Sequence, residues 1–186
     1  DGIRENFNTL HQIAEGASLM SDTSMSRRII GAAYPRHFNQ PIAIAMDENI
    51  QRVGLPQWSE DDQQFARALQ ELMGSNEPQG LATELSGITP DLEQPISGGS
   101  DDIGDVSWNV PTVTLRFPSN VRGLQGHHWS SAMAMATPIA HKGAIAGAKV
   151  ISTTMLDLLQ SETLVEDAQA YFDDIQTADE AYTSFI

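Results

Sequence analysis

The sequence predicts an α/β lobe, and three observations lead there. Several stretches repeat apolar residues at three-to-four spacing, the mark of amphipathic helices. Two runs, residues 26–34 and 110–117, read as strands. One long apolar stretch is rich in Ala and Gly at positions 140, 143, 144, 146, 147 and 148, which suits close packing against a sheet.

The elements follow in order. Residues 3–20 carry Ile3, Phe7, Leu10, Ile13, Ala14, Ala17 and Leu19, most of them on helical spacing, and Ser21-Asp22-Thr23 stops the helix. Residues 26–34 include Ile29-Ile30 and read as a strand that Pro35 ends. Asn39-Gln40-Pro41 has the form of a helix start, with Asn39 as N-cap and Pro41 in the first turn. That helix runs over about residues 42–53, until Gly54 and Pro56. Ser59-Glu60-Asp61-Asp62 opens another, with a capping serine and three acids where the helix dipole favours them. Phe65, Leu69 and Leu72 mark its inner face, and Gly74 closes it.

Residues 75–104 lack periodicity and are rich in Gly, Pro, Asp and Ser. A loop of that length in a compact domain is functional, disordered or misread. Within it Gly98-Gly99-Ser100-Asp101-Asp102 forms a tight turn. After the strand-like Val110-Pro111-Thr112-Val113-Thr114-Leu115-Arg116-Phe117 comes the turn GHHWSS. A long helix then covers about residues 131–159, with Pro138 kinking or restarting it. A last acidic helix covers about residues 163–174.

The chain has 186 residues, with 25 acidic against 10 basic, a formal net charge of -15. Phosphate binding needs clustered Lys and Arg, so the balance speaks against nucleic acid and against an anionic membrane. It speaks for solubility. With no cysteine, disulfides, Cys-based zinc sites and a thiol nucleophile are excluded. No apolar run reaches the roughly 18 residues of a membrane span. The chain opens at Asp1-Gly2 without Met and is helical almost at once. The expectation is a piece of something longer, although a removed tag or propeptide leaves the same appearance.

Two polar clusters are candidates for chemistry. His127 and His128 follow Gly126; imidazole is the commonest metal ligand, but neighbouring residues point in different directions and do not easily share one ion. Both also suit a plain role as turn histidines bonded to backbone. Asp101 and Asp102, with Asp105 three residues on, can accept a proton, hold a metal or orient a histidine. They equally suit a solvated loop or a helix cap. Trp108 and Trp129 read as packing, His141 as a partly buried helical histidine, and Ser130 and Ser131 as caps. No nucleophile elbow, phosphate loop or calcium loop is present.

The run GGSDDIGDVSWNVPTVTL, then GHHWSSAMAMATPIAHKGAIAGAKVI, resembles the aminoacylase and carboxypeptidase family of dizinc amidohydrolases. Within that family it is most similar to the p-aminobenzoyl-glutamate hydrolase branch. That branch has a like Asp-Val-Gly-Asp-Val-Ser-Trp block, a Gly-His-aromatic turn and an Ala-His-Lys-Gly helix. IAEGASLM and MDENIQRVGLPQWSEDDQQFA extend the likeness, so it covers most of residues 10–160.

The resemblance implies the C-terminal half of a zinc-peptidase-like α/β/α catalytic domain, at residues 36–186. Residues 1–35 would be the end of an inserted lid, or dimerisation, domain, and YPRHFNQP the return crossing between them. The implied enzyme is cytoplasmic and a homodimer or hetero-oligomer. It holds two divalent metal ions, zinc or manganese, and cleaves a small N-acyl or N-aroyl amino acid such as p-aminobenzoyl-glutamate. Two ions about 3.5–4 Å apart would activate a bridging water, and a Glu would act as base. The family's last metal ligand follows a glycine, a position that His127 matches. His128 stands where relatives often have a small polar residue and ranks second. Asp102 matches the Asp of the Gly-rich turn in a supporting role, and Asp101 more weakly. The family's His-x-Asp and Glu-Glu pairs are absent from this sequence, so no catalytic base is expected in this chain and the remaining ligands are expected upstream. Alone, the chain is expected to be inactive and to leave a raw apolar face on an incomplete sheet. The competing reading is a non-catalytic fragment or interaction module that keeps part of the family fold.

Overall fold

The computed structural model describes residues 2–88 and 101–184. Seven α-helices are found among them: α1 Gly2–Met20, α2 Gln40–Val53, α3 Glu60–Leu72, α4 Ile103–Ser107, α5 Trp129–Met135, α6 Pro138–Gln160 and α7 Glu162–Tyr171. A π-helical turn, Phe172–Gln176, continues α7. The residues fall into two compact units, a small one built mainly on residues up to Ala32 and a larger one over Ala33–Thr183.

The small unit is essentially α1. None of its side chains is buried, and Ile3, Phe7, Leu10 and Ile13 are all exposed. Beyond its end, the Arg27 guanidinium lies 4.9 Å from the Phe7 ring centre, a cation–π contact.

In the larger unit the start signals act as the sequence suggests. The Asn39 side chain accepts from the Ile42 amide at 3.4 Å, and Pro41 occupies the first turn of α2. Ser59 and Asp62 form a full capping box: the Ser59 amide donates to Asp62 Oδ2 at 2.8 Å and the Asp62 amide to Ser59 Oγ at 3.2 Å. Pro138 restarts the helix rather than kinking it. α5 ends at Met135, the Thr137 hydroxyl donates to the Ala134 carbonyl at 2.6 Å, and α6 begins at the proline.

The apolar core joins α3, α5 and α6 through Ala66, Leu69, Leu81, Val121, Ala134 and Ile139, with Trp58, Phe65 and Leu124 at its margin. Two glutamines of α3 bind the loop that crosses it. Gln63 accepts from the Leu81 amide at 2.9 Å and donates to its carbonyl at 3.3 Å. Gln70 accepts from the Gly80 amide at 2.8 Å and donates to the Arg122 carbonyl at 3.0 Å. Lys142 of α6 pairs with Asp62, which is only 6% exposed. Burial pushes the Asp62 carboxyl up, but the bonds from Lys142 and from the Ser59 amide and hydroxyl outweigh it and hold it below the usual carboxylate range.

The two expected strands are not formed, and no strand occurs among the described residues. A strand exists through its ladder of bonds to a neighbour. Residues 26–34 are mostly exposed and have no such neighbour. Residues 115–119 lie instead across α6. A Cβ on Gly143 would come within 2.0 Å of the Pro118 carbonyl oxygen, and one on Gly147 would meet Phe117 at 3.4 Å. Gly143 and Gly147 of α6 thus pack against a single irregular segment in place of a sheet, while Ala144 and Ala148 are exposed. Elsewhere along its length α6 exposes Ile145, Ile151, Met155, Leu156 and Leu159. The last acidic helix ends earlier than the pattern predicts, at Tyr171, before the π-helical turn. The short helix α4 begins where the long loop ends and has no counterpart in the sequence pattern, and Gly98, Gly99 and Ser100 of the expected tight turn lie outside the described residues.

Candidate functional site

The histidine turn is positioned by what precedes and follows it. Asn120 donates to the Ser131 carbonyl at 3.3 Å, and the Ser131 hydroxyl donates to the Gln125 carbonyl at 2.9 Å, closing the loop onto the start of α5. His128 is the N-cap of α5. Its Nδ1 accepts from the Ser130 amide at 3.3 Å and lies 2.9 Å from the Ser130 hydroxyl, and Ser130 is fully buried. The His128 ring also sits 5.3 Å from that of Trp129. His128 therefore acts as a capping side chain, with an imidazole nitrogen in place of the usual oxygen.

His127 is different. It is exposed, and its backbone is left-handed, with φ 57°. Few residues other than glycine adopt that region, although histidine is among the enriched ones. The conformation costs local stability, so the imidazole is presented to solvent from a backbone that a glycine would fit better.

The carboxylate block has another setting. Residues 101–108 are fastened to residues 34–37. The Tyr34 amide donates to Asp105 Oδ2 at 3.4 Å and Arg36 to Asp101 Oδ2 at 3.4 Å. The His37 amide donates to Ser107 Oγ at 3.3 Å, and Trp108 Nε1 donates to the Pro35 carbonyl at 2.9 Å. Tyr182 donates to the other Asp105 oxygen at 3.0 Å. Gly104 sits so close that a Cβ there would fall 1.8 Å from the Tyr34 carbonyl oxygen. Asp101 and Asp105 are thus tied to neighbouring segments. Asp102 is exposed at the head of α4 and makes no capping bond.

One residue of this cluster escaped the sequence reading. The His37 ring stands 4.7 Å from Trp108 at 81°, and Gln176 of the π-helical turn bonds its Nδ1. Its Nε2 is buried without a partner. Burial pushes its pKa below the usual histidine value. Asn39 donates to Gln176 Oε1 at 2.9 Å, so Gln176 turns its amide nitrogen to the histidine, which then carries its proton on Nε2. The only local signal was the position of His37, two residues before the capping Asn39.

The residues the sequence marked are not assembled into one centre. Among the described residues no three His, Asp or Glu side chains lie close enough to hold a metal ion. Their donors do not by themselves fit a two-metal site. His141 is exposed on α6 and joins neither cluster. No described helix is long and apolar enough to cross a membrane.

The larger unit is thus helical, with a glycine-histidine turn and a tethered carboxylate block. No protein-family model matches the chain, and neither does any solved structure. The chain is similar to one of the subunits of p-aminobenzoyl-glutamate hydrolase from Escherichia coli (strain K12), at 26% identity over 191 aligned residues. The likeness covers 90% of this chain but 39% of that protein, so the chain spans about two fifths of its relative's length. The resemblance read from the motifs is borne out, and the coverage fits a C-terminal portion.

Proposed function

We propose that the chain is part of a metal-dependent amidohydrolase that cleaves the amide bond of an N-acyl or N-aroyl amino acid such as p-aminobenzoyl-glutamate. The observation that carries this reading is the similarity over 90% of the chain to a subunit of the hydrolase of that compound. His127 supports it from the site: an exposed imidazole held on a left-handed backbone directly after Gly126. Strained residues of this kind gather at functional positions. In this reading His127 is one metal ligand, and His128, engaged as a cap, is not. The other donors to the two ions, zinc or manganese, and the general base come from beyond these residues. Asp102 is given a supporting role. Residues 1–35 belong to a lid domain, and the assembly is a homodimer or hetero-oligomer. The exposed apolar side chains of α6 are surface that the rest of such an enzyme would cover.

The test compares this chain with the longest chain its gene encodes. The 186-residue chain alone is expected not to hydrolyse p-aminobenzoyl-glutamate, and metal-dependent turnover by a purified sample would sink the reading. In the longer chain, His127→Ala should lower metal content by about one ion and cut turnover by orders of magnitude. His128→Ala should cost far less. Unchanged metal content in His127→Ala would show the wrong histidine was chosen.

A further inference from the structure

A groove of about 900 Å³ lies between α2 and α7, outside both clusters described above. Its apolar lining is Ile44 and Ala45 of α2, Leu164 and Tyr171 of α7 and Ile175 of the π-helical turn, with Gln160 and Ser161 beside them. Ile44 and Ile175 are 49% and 64% exposed, so large apolar side chains are open to a ligand that enters the groove.

The rim is acidic. Glu48, Asp167 and Asp174 line the groove and are exposed, and none takes part in the ion pairs of the described residues. Asp157 also lines it, and accepts from Asn49 at 2.6 Å. One cation, Arg52, is present, and it donates to Asn49 Oδ1 at 2.8 Å. Like charges around an apolar trough repel one another and attract a cationic ligand.

We propose that this groove seats a cationic amphipathic helix of another protein chain, with its apolar face on the apolar lining and its Lys and Arg against the rim. Geometry favours a helix over a small cation. Asp167 and Asp174 are seven residues apart along α7 and the turn, roughly 10 Å at a helical rise. A compact ligand does not reach both, whereas cations two turns apart on a helix do. Helix-in-groove recognition uses this pairing of apolar anchors and charged flanks. A second copy of this chain is a poor complement. Its most basic helix, α6, has only Lys142 and Lys149, and Lys142 is already paired with Asp62.

The probe is a fluorescein-labelled peptide of about 14 Leu and Lys residues with Leu at helical spacing, long enough for helix to form on contact. Its Glu-for-Lys counterpart is the control. Fluorescence polarisation should show saturable binding of one Lys peptide per chain and none of the Glu peptide. Asp167→Asn with Asp174→Asn should weaken it about fivefold, the size expected of two exposed charge contacts. Asp61→Asn with Glu71→Gln, the same charge change on the exposed face of α3, should leave affinity within about twofold. Ala170→Lys, which puts a cation in the groove at an exposed position, should abolish binding while circular dichroism confirms the fold. Equal weakening by the two acid pairs would reduce the effect to general attraction by an acidic protein and overturn the proposal. So would equal binding of the Glu peptide, or no binding at about 1 mM. Self-association that Ala170→Lys abolishes would make the occupant a second copy, and the proposal would fail there too.

Discussion

Residues 101–108 and residues 126–131 are the two stretches the sequence marks for chemistry, and their surroundings differ. In the first, every polar group but Asp102 that stands out in the sequence is bonded to residues 34–37 or to Tyr182. Its glycine is locked against a carbonyl. In the second, His128 caps its own helix while His127 is held outward on a left-handed backbone. Carboxylates that look catalytic are here mostly fasteners. The histidine that looks like one of a pair stands apart from its neighbour. A side chain bonded to its surroundings is committed, and an exposed one on a costly backbone is the better candidate for work on a ligand.

The contrast is sharpest at glycine. Gly104→Ala should destabilise the fold by about 3 kcal/mol or prevent it, since the clash is with backbone that cannot swing aside. Gly126→Ala should change stability by less than about 1 kcal/mol, because nothing lies within 4 Å of its added Cβ. Urea denaturation of the two variants measures both. Similar losses would mean the two stretches are equally constrained.

Ser107 comes next. It is fully buried, donates to the Gly104 carbonyl at 2.7 Å and accepts from the His37 amide. Ser107→Ala should cost about 1.5 kcal/mol, by lost bonds and an unpaired buried amide. A midpoint matching the wild type would show that the fastening is incidental.

His37 adds a pH dependence to the same region. Its folded pKa lies below the ordinary 6.5, because burial disfavours the cation. Below about pH 6.5 the unfolded chain therefore takes up a proton that the folded chain refuses. Stability should fall as pH drops through that window, and this contribution should level off once the folded form is protonated too. His37→Gln keeps a polar partner for Gln176 and should show a shallower fall between about pH 7 and 5 by thermal melting. An unchanged slope would mean that His37 is not the responsible group.

The smallest effect is expected at the other stretch. His127→Gly should leave stability within about 1 kcal/mol of wild type, the relief of a left-handed residue offsetting the entropy of the freer chain. A clear loss would give His127 a structural duty and weaken its assignment as a ligand.

Local rules acted where the sequence could be read. Asn39, Ser59 with Asp62, Pro41 and Pro138 set helix starts within three or four residues, and each helix they open is found. Caps and first-turn prolines satisfy or remove the amides next to them, so their meaning does not depend on the rest of the chain. The likeness of the two long motif blocks was equally present in the order of residues. The tertiary structure decided the rest. Residues 26–34 and 110–117 have the pattern of strands, but a strand needs a neighbour in space, and 115–119 meet α6 in its place. Asp101 and Asp105 had several roles open to them, and contact with Arg36, Tyr34 and Tyr182 selected tethering. His37 gave almost no signal, since its setting comes from Trp108 and Gln176, 71 and 139 residues further along the chain. Short-range chemistry was written in the order of the residues, while burial, side-chain tethering and charge pairing arose only when distant segments met.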